Sequence, residues 1–366
     1  MMLELNSRNI LHRPIRTFIT VVAVAVEVIM VLVVVGLTHG LVTDSAKRVE
    51  GIGADVMVQP PSASVFMAFS GAPMPIKLAG KLQELKHVRY VAPVLLQFSS
   101  SGRLDIVYGI DPQSFALVSG GFVFHEGHDL QNPDDILVDD WYAKARNLHA
   151  GNSMSILEHD FHVAGVVEHG KGARLFVQLK TLQELSGAQD KASVFFIKCD
   201  HPDDATAVTD EIQQMLPRYV VRSLKDYMSL MTSSNLPGLQ IFINVMISLA
   251  VCIGFMVIFL SMYTTILERT REIGVLKSLG ASKAYIVRVV LGETTLLCTV
   301  GAAVGAVASF VITHVLVHAF PTLVILIQPE WVFRAILIAI VGGLMGAAYP
   351  AWLASRRDPI ESLAYE

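Results

Sequence analysis

The sequence predicts a membrane α-helical protein with four transmembrane helices and a large α+β extracytoplasmic domain between helices 1 and 2. Three observations predict this class: an apolar run near the start, a mixed stretch after it, and three more apolar runs in the last third. Each run has the ~20 residues that a helix needs to cross a bilayer. The composition agrees, since only 16% of the residues are charged, against about a quarter in soluble domains. The predicted segments are a cytoplasmic amphipathic helix (1–16), four spans (17–41, 239–267, 289–316 and 331–352), an extracytoplasmic domain (42–238), a cytoplasmic coupling segment (268–288), a short outer loop (317–330) and a cytoplasmic tail (353–366).

The chain begins with a short amphipathic pattern. Leu3, Leu5, Ile10 and Leu11 alternate with polar residues over 2–12, which predicts a helix on the inner membrane surface; the alternative is an extension of the first span. The apolar core of that span is too long for a signal peptide, so it is interpreted as a retained anchor.

Positive charge predicts the orientation. Lys and Arg are common before the first span, between spans two and three, and in the tail, whereas the loop from 318 to 330 has none. By the positive-inside rule, both termini and the 268–288 segment are cytoplasmic, and the large domain lies outside. The basic residues are Arg8, Arg13 and Arg16, then Arg269, Arg271, Lys277, Lys283 and Arg288, and finally Arg356 and Arg357.

The outer domain reads as mixed α and β. Short or alternating apolar runs predict strands, and runs with helical spacing predict helices. The strands are expected at 55–59, 88–94, 104–108, 154–157, 161–167 and 194–199, and the helices at 78–85, 180–185 and 203–216.

Several classes of function are disfavoured. A net charge of −4 gives no indication of nucleic-acid binding. The three cysteines, Cys199, Cys252 and Cys298, are too scattered for a disulfide framework or a metal site. No nucleophile–base arrangement is recognisable, so no catalytic residue, metal or cofactor is predicted. Five histidines are interpreted as surface residues rather than metal ligands: His125, His128, His159, His162 and His169.

The segment from Glu268 to Lys283 carries the clearest pattern. Gly280 suits a helix C-cap and Ser282 an N-cap for the next helix. This predicts a tight helix–turn–helix with Ile273, Leu276 and Leu279 on one side. Such an element would be stiff enough to transmit force between a cytoplasmic partner and the spans; the alternative is an ordinary charged loop.

At these residues the chain resembles a known family. Residues 271–282 (Arg-Glu-Ile-Gly-Val-Leu-Lys-Ser-Leu-Gly-Ala-Ser) and 346–363 resemble the hallmarks of MacB/FtsX/LolC-type permeases, the membrane subunits of type VII ABC transporters. Glu293 at the start of the third span also fits. The coupling residues that the turn and the resemblance indicate are Glu268, Arg271, Glu272, Gly274, Lys277, Leu279, Gly280, Ala281 and Ser282.

The resemblance implies how such a subunit works. It implies a second permease copy, in a homodimer or a related heterodimer, and two copies of a cytoplasmic ABC ATPase that bind ATP and Mg. Closure of the ATPases would move the outer domains, and the resemblance implies that the domain over 42–238 has two lobes of the porter and sabre kind. It implies no substrate path through the membrane. This sequence has no Gly-x-x-x-x-Gly-Lys-Ser/Thr loop, so the ATPase is expected in a separate chain. Other implied partners are membrane lipid and, in some systems, a periplasmic adaptor.

Three further features are candidates for packing or cargo contact. Gly301-x-x-x-Gly305 and Gly342-x-x-x-Gly346 allow close helix contact, either within one subunit or across a dimer. Glu27 lies mid-span and should face protein or a cavity, with a structural role favoured over a substrate or proton role. The apolar residues Phe66, Met67 and Phe69 lie in a Ser/Gly/Pro-rich loop that would either grip a lipophilic cargo or pack on the domain.

The sequence therefore predicts a non-enzymatic permease subunit in the bacterial cytoplasmic membrane, driving export or extraction of a lipophilic or peptide-like substrate. Two alternatives stay open. One is an FtsX-like regulator that transmits force to an outer enzyme without transport. The other is a membrane-anchored sensor or scaffold with no ATPase.

Overall fold

A computed structural model describes residues 14–61, 73–99, 105–231 and 237–356. The described residues fall into two compact units. The membrane unit takes those within Met1–His39, Gly238–Ala319 and Ile325–Glu366, and the outer unit those within Gly40–Pro237 and Phe320–Val324. In chain order the elements are α1 (Pro14–Glu50), β1 (Val56–Gln59), β2 (Met74–Pro75), α2 (Leu78–Gln83), β3 (Val88–Ser99), β4 (Asp105–Ile110), α3 (Pro112–Ser119), β5 (Phe124–Gly127), β6 (Asp135–Asp139), α4 (Asp140–Arg146), β7 (Ser153–Ile156), β8 (His159–Val167), β9 (Leu175–Gln178), α5 (Leu179–Leu185), β10 (Lys191–Ala192), β11 (Val194–Cys199), a 3₁₀ turn (Pro202–Asp204), α6 (Ala205–Met215), β12 (Val220–Ser223), α7 (Leu224–Leu230), α8 (Pro237–Glu268), α9 (Thr270–Ser278), α10 (Lys283–Ala319) and α11 (Pro329–Arg356).

The membrane unit is built on four apolar helices. Within the described residues, α1, α8, α10 and α11 are the helices long and apolar enough to cross a bilayer, as the sequence predicts. They share one buried core in which small residues allow close approach. A hydrogen bond of 2.7 Å between Thr20 Oγ1 and Ser261 Oγ adds a polar contact between α1 and α8. The buried core residues include Val24, Val28, Leu32, Ala250, Ile258, Cys298, Ala302, Ala339 and Ala347.

The first helix is longer than its predicted span. The sequence places the end of the span at residue 41, and α1 continues to Glu50 without a break. Residues from 40 onward belong to the outer unit, where Val42, Ala46 and Val49 are buried. This extension is amphipathic rather than uniformly apolar, so an apolar-run criterion stops before it.

The outer unit is α+β, as predicted. Within the described residues, ten strands form one sheet in the order β12-β1-β11-β3-β4-β9-β6-β8-β5, with β7 also paired to β8, and β2 pairs with β10. Two pairs are parallel, β4 with β9 and β6 with β8. One core lies beneath β1, β11 and β12 with α2 and α6. A second lies beneath β4, β6, β8 and β9 with α4 and α5.

The six predicted strands all appear, and β11 matches its predicted range. β3 continues five residues past its predicted end, and the remaining ends shift by at most two residues. Six strands of the described residues are absent from the prediction, namely β2, β5, β6, β9, β10 and β12. Of these, β6 and β9 are short and buried along most of their length, which leaves no alternating pattern to detect. The predicted helix over 2–12 lies outside the described residues.

Candidate functional site

The predicted turn in the coupling segment is present. Gly280 has φ +92°, a left-handed conformation that favours glycine. Its N–H donates to the Lys277 carbonyl at 2.9 Å, and the N–H of Ala281 donates to the Leu276 carbonyl at 3.0 Å. This pair of bonds is the Schellman motif that ends a helix. Ser282 Oγ then accepts from the N–H of Tyr285 at 3.2 Å, so Ser282 caps α10 as predicted.

The apolar residues of this segment divide into two sets. Ile273 packs with Ile266 and Ile286 in a small core between α8, α9 and α10. Leu276 is 40% exposed and Leu279 is 81% exposed. The prediction that Ile273, Leu276 and Leu279 lie on one apolar side is therefore wrong for Leu279. Leu279 is the C-cap residue and lies just past the end of α9.

The remaining predicted coupling residues lie around the same turn. Gly274 is buried, and its carbonyl accepts a hydrogen bond from Ser278 Oγ at 3.0 Å. Four of these residues are exposed, namely Glu268, Arg271, Glu272 and Ser282, while Lys277 and Ala281 are half-buried.

Arg269 organises the segment and is absent from the predicted coupling set. It occupies the break between α8 and α9, where its Nε donates to Glu272 at 2.7 Å and its Nη1 to Glu293 at 3.1 Å. Glu293 is largely buried on α10. Arg269 therefore ties α9 to α10 by two ion pairs. Its position two residues after a long apolar run is the sequence signal that could have identified it.

The Gly-x-x-x-Gly motifs make contacts within one chain. A β-carbon on Gly301 would lie 2.7 Å from Val24 Cβ, and one on Gly305 would lie 2.7 Å from the Ala25 carbonyl, both on α1. A β-carbon on Gly346 would lie 2.8 Å from the Phe255 carbonyl on α8. Gly342 is looser, since its nearest neighbour would be 3.6 Å away.

Glu27 is buried inside the membrane unit, with 5% of its surface exposed. Its carboxylate reaches α8 at Gly254 and lies near Gly342 on α11. Its Oε1 atom has no hydrogen-bond partner among the described residues. Glu27 thus faces protein, as the sequence predicts. The other predicted contact residues, Phe66, Met67 and Phe69, lie outside the described residues.

A cluster of charged residues around Arg174 in the outer unit is not predicted from the sequence. Arg174, just before β9, donates to Asp139 at 3.3 Å, to Asp44 at 3.5 Å and to the Thr322 carbonyl at 3.1 Å. Asp139 is 1% exposed and caps α4 by accepting from the N–H of Tyr142 at 2.6 Å. The partners are 35, 130 and 148 residues from Arg174 in the chain, so no local spacing reveals the cluster.

Burial perturbs both members of the Arg174–Asp139 pair. Loss of solvation raises the pKa of Asp139 to about 6, and the nearby Arg174 charge opposes that rise. Burial likewise lowers the pKa of Arg174, whereas the negative charges of Asp139 and Asp44 act to raise it. The site holds a desolvated charge pair, which is costly unless each charge keeps its partners.

The histidines form pairs with neighbouring groups. His159 contacts Asp134 at 2.8 Å, His169 contacts Asp140 at 2.9 Å, and His162 contacts Ser153 at 3.1 Å. Across the described part of the chain, no three His, Cys, Asp or Glu side chains converge on a metal position. Cys252 is exposed on α8, whereas Cys199 and Cys298 are buried.

Two family models match most of the chain. The one described as MacB-like periplasmic core domain matches residues 17–215, and the one described as FtsX-like permease C-terminal matches residues 244–359. An uncharacterized ABC transporter permease of Methanocaldococcus jannaschii is 20% identical over 98% of this chain and 96% of its own length.

Longer relatives also match. The macrolide export ATP-binding/permease protein MacB of a Shewanella species is 22% identical over 97% of this chain and 59% of its own length. MacB of Rhodopirellula baltica is 27% identical over 50% of this chain and 28% of its own length. The chain thus spans less than two thirds of these MacB proteins. The crystal structure of the periplasmic region of MacB from Actinobacillus actinomycetemcomitans aligns with a TM-score of 0.39 and 15% identity, over 50% of this chain and 95% of that one.

Proposed function

This chain belongs to the MacB/FtsX-like family of ABC transporter permeases, and from that membership we propose that it is the membrane subunit of a transporter driven by a separate cytoplasmic ATPase. Two ATPase copies would bind the 268–288 segments of a permease dimer in the bacterial cytoplasmic membrane. ATP-driven closure would then move the outer units, which drive export or extraction of a lipophilic or peptide-like substrate.

The observation that carries the proposal is the geometry of the coupling turn. A Schellman cap, an N-cap and the two Arg269 ion pairs fix the angle between α9 and α10. The turn presents Leu279, a large apolar side chain with 81% of its surface exposed, among charged residues. We propose that this side chain inserts into an apolar pocket on the ATPase, where its exposed apolar surface would be removed from water.

The proposal that another subunit binds ATP rests on what the family models match in this chain, which is a periplasmic core domain and a permease domain. The proposal that α1 transmits force rests on its continuity. α1 is one helix from Pro14 to Glu50, and its residues from 40 onward belong to the outer unit.

The proposal is tested at Gly280, where an added β-carbon would meet no atom within 4 Å. The main effect of a substitution there is therefore strain in the left-handed backbone. Gly280→Val should strain the left-handed cap, and Gly280→Asn is the matched control because Asn tolerates that conformation. In membranes that contain both subunits, Gly280→Val should reduce ATPase co-purification and substrate-stimulated hydrolysis, and Gly280→Asn should preserve both.

Equal coupling in the two variants would contradict docking at this turn. Cargo release from membrane vesicles provides the second measurement. ATPase coupling without any cargo release would instead favour the FtsX-like regulator, in which the outer unit acts on another enzyme. Failure to co-purify with any ATPase would favour the sensor or scaffold.

A further inference from the structure

Arg174 connects three separate segments of the outer unit. Its Nη1 contacts Asp139 at the end of β6, and its Nη2 contacts both Asp44 in the last part of α1 and the Thr322 carbonyl. Thr322 lies in the segment Phe320–Val324, between α10 and α11. One guanidinium therefore joins the sheet to chain segments that continue into three of the four apolar helices.

The contact with α1 has a second component. Arg48, one helical turn after Asp44, pairs with it at 3.2 Å. The backbone N–H of Gly172 also donates to the Arg48 carbonyl at 2.8 Å. The loop before β9 thus holds the end of α1 by its backbone at Gly172 and by its side chain at Arg174.

The contact with the sheet is doubled in the same way. The N–H of Asp139 donates to the Arg174 carbonyl at 2.8 Å, in addition to the side-chain ion pair. The guanidinium carbon lies 5.5 Å from the centre of the Trp141 ring, which stacks on His169 with 4.0 Å between ring centres. Only 14% of the Arg174 side chain is exposed. If its contacts broke, water would therefore have little access to replace them.

We infer that Arg174 is a positioning residue of the transport cycle. It couples movement of the sheet in the outer unit to movement of the end of α1 and of the segment Phe320–Val324. This role rests on the proposed function. A planar guanidinium can donate hydrogen bonds to two carboxylates and a carbonyl at once, because its five N–H donors point in fixed directions. A lysine ammonium is a compact charge on a single stem and cannot span the three acceptors.

Trp141 provides a local reporter of this network. Replacing Trp331 and Trp352 with Phe leaves Trp141 as the remaining tryptophan of the three. In this background, the permease–ATPase complex in nanodiscs is titrated with a non-hydrolysable ATP analogue while Trp141 emission is recorded. The wild-type network should show a nucleotide-dependent change in emission.

Three variants separate transmission from simple stability. Arg174→Lys keeps the charge, and Asp44→Ala removes the α1 contact while leaving the Arg174–Asp139 pair in place. Arg146→Gln is the matched control, because it breaks another Arg–Asp bridge of the outer unit, to Asp105 at 3.0 Å. Arg174→Lys and Asp44→Ala should both lose the nucleotide-dependent change. Asp44→Ala, which leaves the Arg174–Asp139 pair in place, should also show thermal unfolding close to that of Arg146→Gln.

The possible results are distinct. A nucleotide-dependent change that persists in Arg174→Lys or in Asp44→Ala would overturn the role of Arg174 and leave the proposed function intact. Loss of the change in Arg146→Gln as well would also overturn it, since any weakened outer unit would then suffice. A wild-type complex with no response to nucleotide would overturn the proposed function, and the role of Arg174 with it.

Discussion

The carboxylate of Glu27 occupies the position where a β-carbon of residue 254 would stand, and Gly254 leaves that position open. Gly254 on α8 and Glu27 on α1 therefore pack against each other inside the membrane unit, and the missing side chain of Gly254 leaves room for the carboxylate. An unpartnered polar group in this setting is costly, so its burial is expected to depend on how closely these two residues pack.

We predict that Gly254→Ala destabilises the protein and that Glu27→Ala partly restores it. The added methyl group collides with the carboxylate, and overpacking of this kind costs about 1–3 kcal/mol. Removing the carboxylate makes room for the methyl, so the two substitutions should be strongly non-additive. Gly342→Ala is the matched control, because its β-carbon would be 3.9 Å from the same carboxylate. Thermal unfolding of the full chain in detergent measures all four variants; additive effects would contradict the fit.

We predict that Leu279 contributes to ATPase binding without contributing to folding. Because the side chain is 81% exposed, Leu279→Ser should change thermal stability by less than ~0.5 kcal/mol. If Leu279 fills a pocket on the ATPase, the same change should weaken binding about tenfold or more, equivalent to ~1.4 kcal/mol. Leu117→Ser, at a 54% exposed position of the outer unit, is the control. Titration of the ATPase against nanodisc-bound permease would show equal affinities if Leu279 lies outside the interface.

We predict that α1 lies near the axis of a permease dimer. Its exposed apolar face carries Ile19 and Val26, which are 56% and 55% exposed, whereas Val28 is fully buried in its own chain. In a background without native cysteines, Cys at 19 or 26 should form disulfides between subunits in membranes, and Cys at 28 should not. Crosslinking that occurs only from α11 positions such as Leu337, which is 50% exposed, would place the axis elsewhere.

We predict a pH-dependent stability contribution from Asp139. Its pKa rises from the ordinary value of 3.8 to about 6 because the carboxyl is buried. Between these values the folded protein holds more protons than the unfolded chain, so stability falls as pH rises from about 4 to 6. The gap corresponds to roughly 3 kcal/mol at most. Asp139→Asn keeps a capping oxygen for α4 and removes the ionisation. The difference in stability between wild type and this variant, followed by Trp141 emission, should change across that range; a constant difference would refute the prediction.

The sequence predicts the features that depend on local pattern. The apolar runs predict the four long helices, and alternating apolar and polar residues predict strands such as β8. Gly280 and Ser282 predict the coupling turn, because the hydrogen bonds that cap it join residues close in the chain. Strand order is not predictable in this way. β1 pairs with β11 and β12, far along the chain, and such pairing is decided by packing of whole faces rather than by neighbouring residues.

The candidate sites follow the same division. The coupling turn is predicted because its residues are consecutive. The Arg174 cluster is missed because its partners come from α1, from β6 and from the segment between α10 and α11. Glu27 could be singled out by the cost of a carboxylate in an apolar run, but its fit to Gly254 requires the packing of two helices.

The outer unit is not one continuous piece of chain, and this affects how it can be isolated. A recombinant fragment spanning 42–238 would omit the start of the α1 portion and the segment Phe320–Val324. Arg174 would then lose the Thr322 carbonyl, one of its three acceptors. A faithful soluble version should begin at residue 40 or earlier and carry residues 320–324 as a grafted or added peptide. Binding of that peptide to the fragment would then report directly on the contact that the intact chain makes.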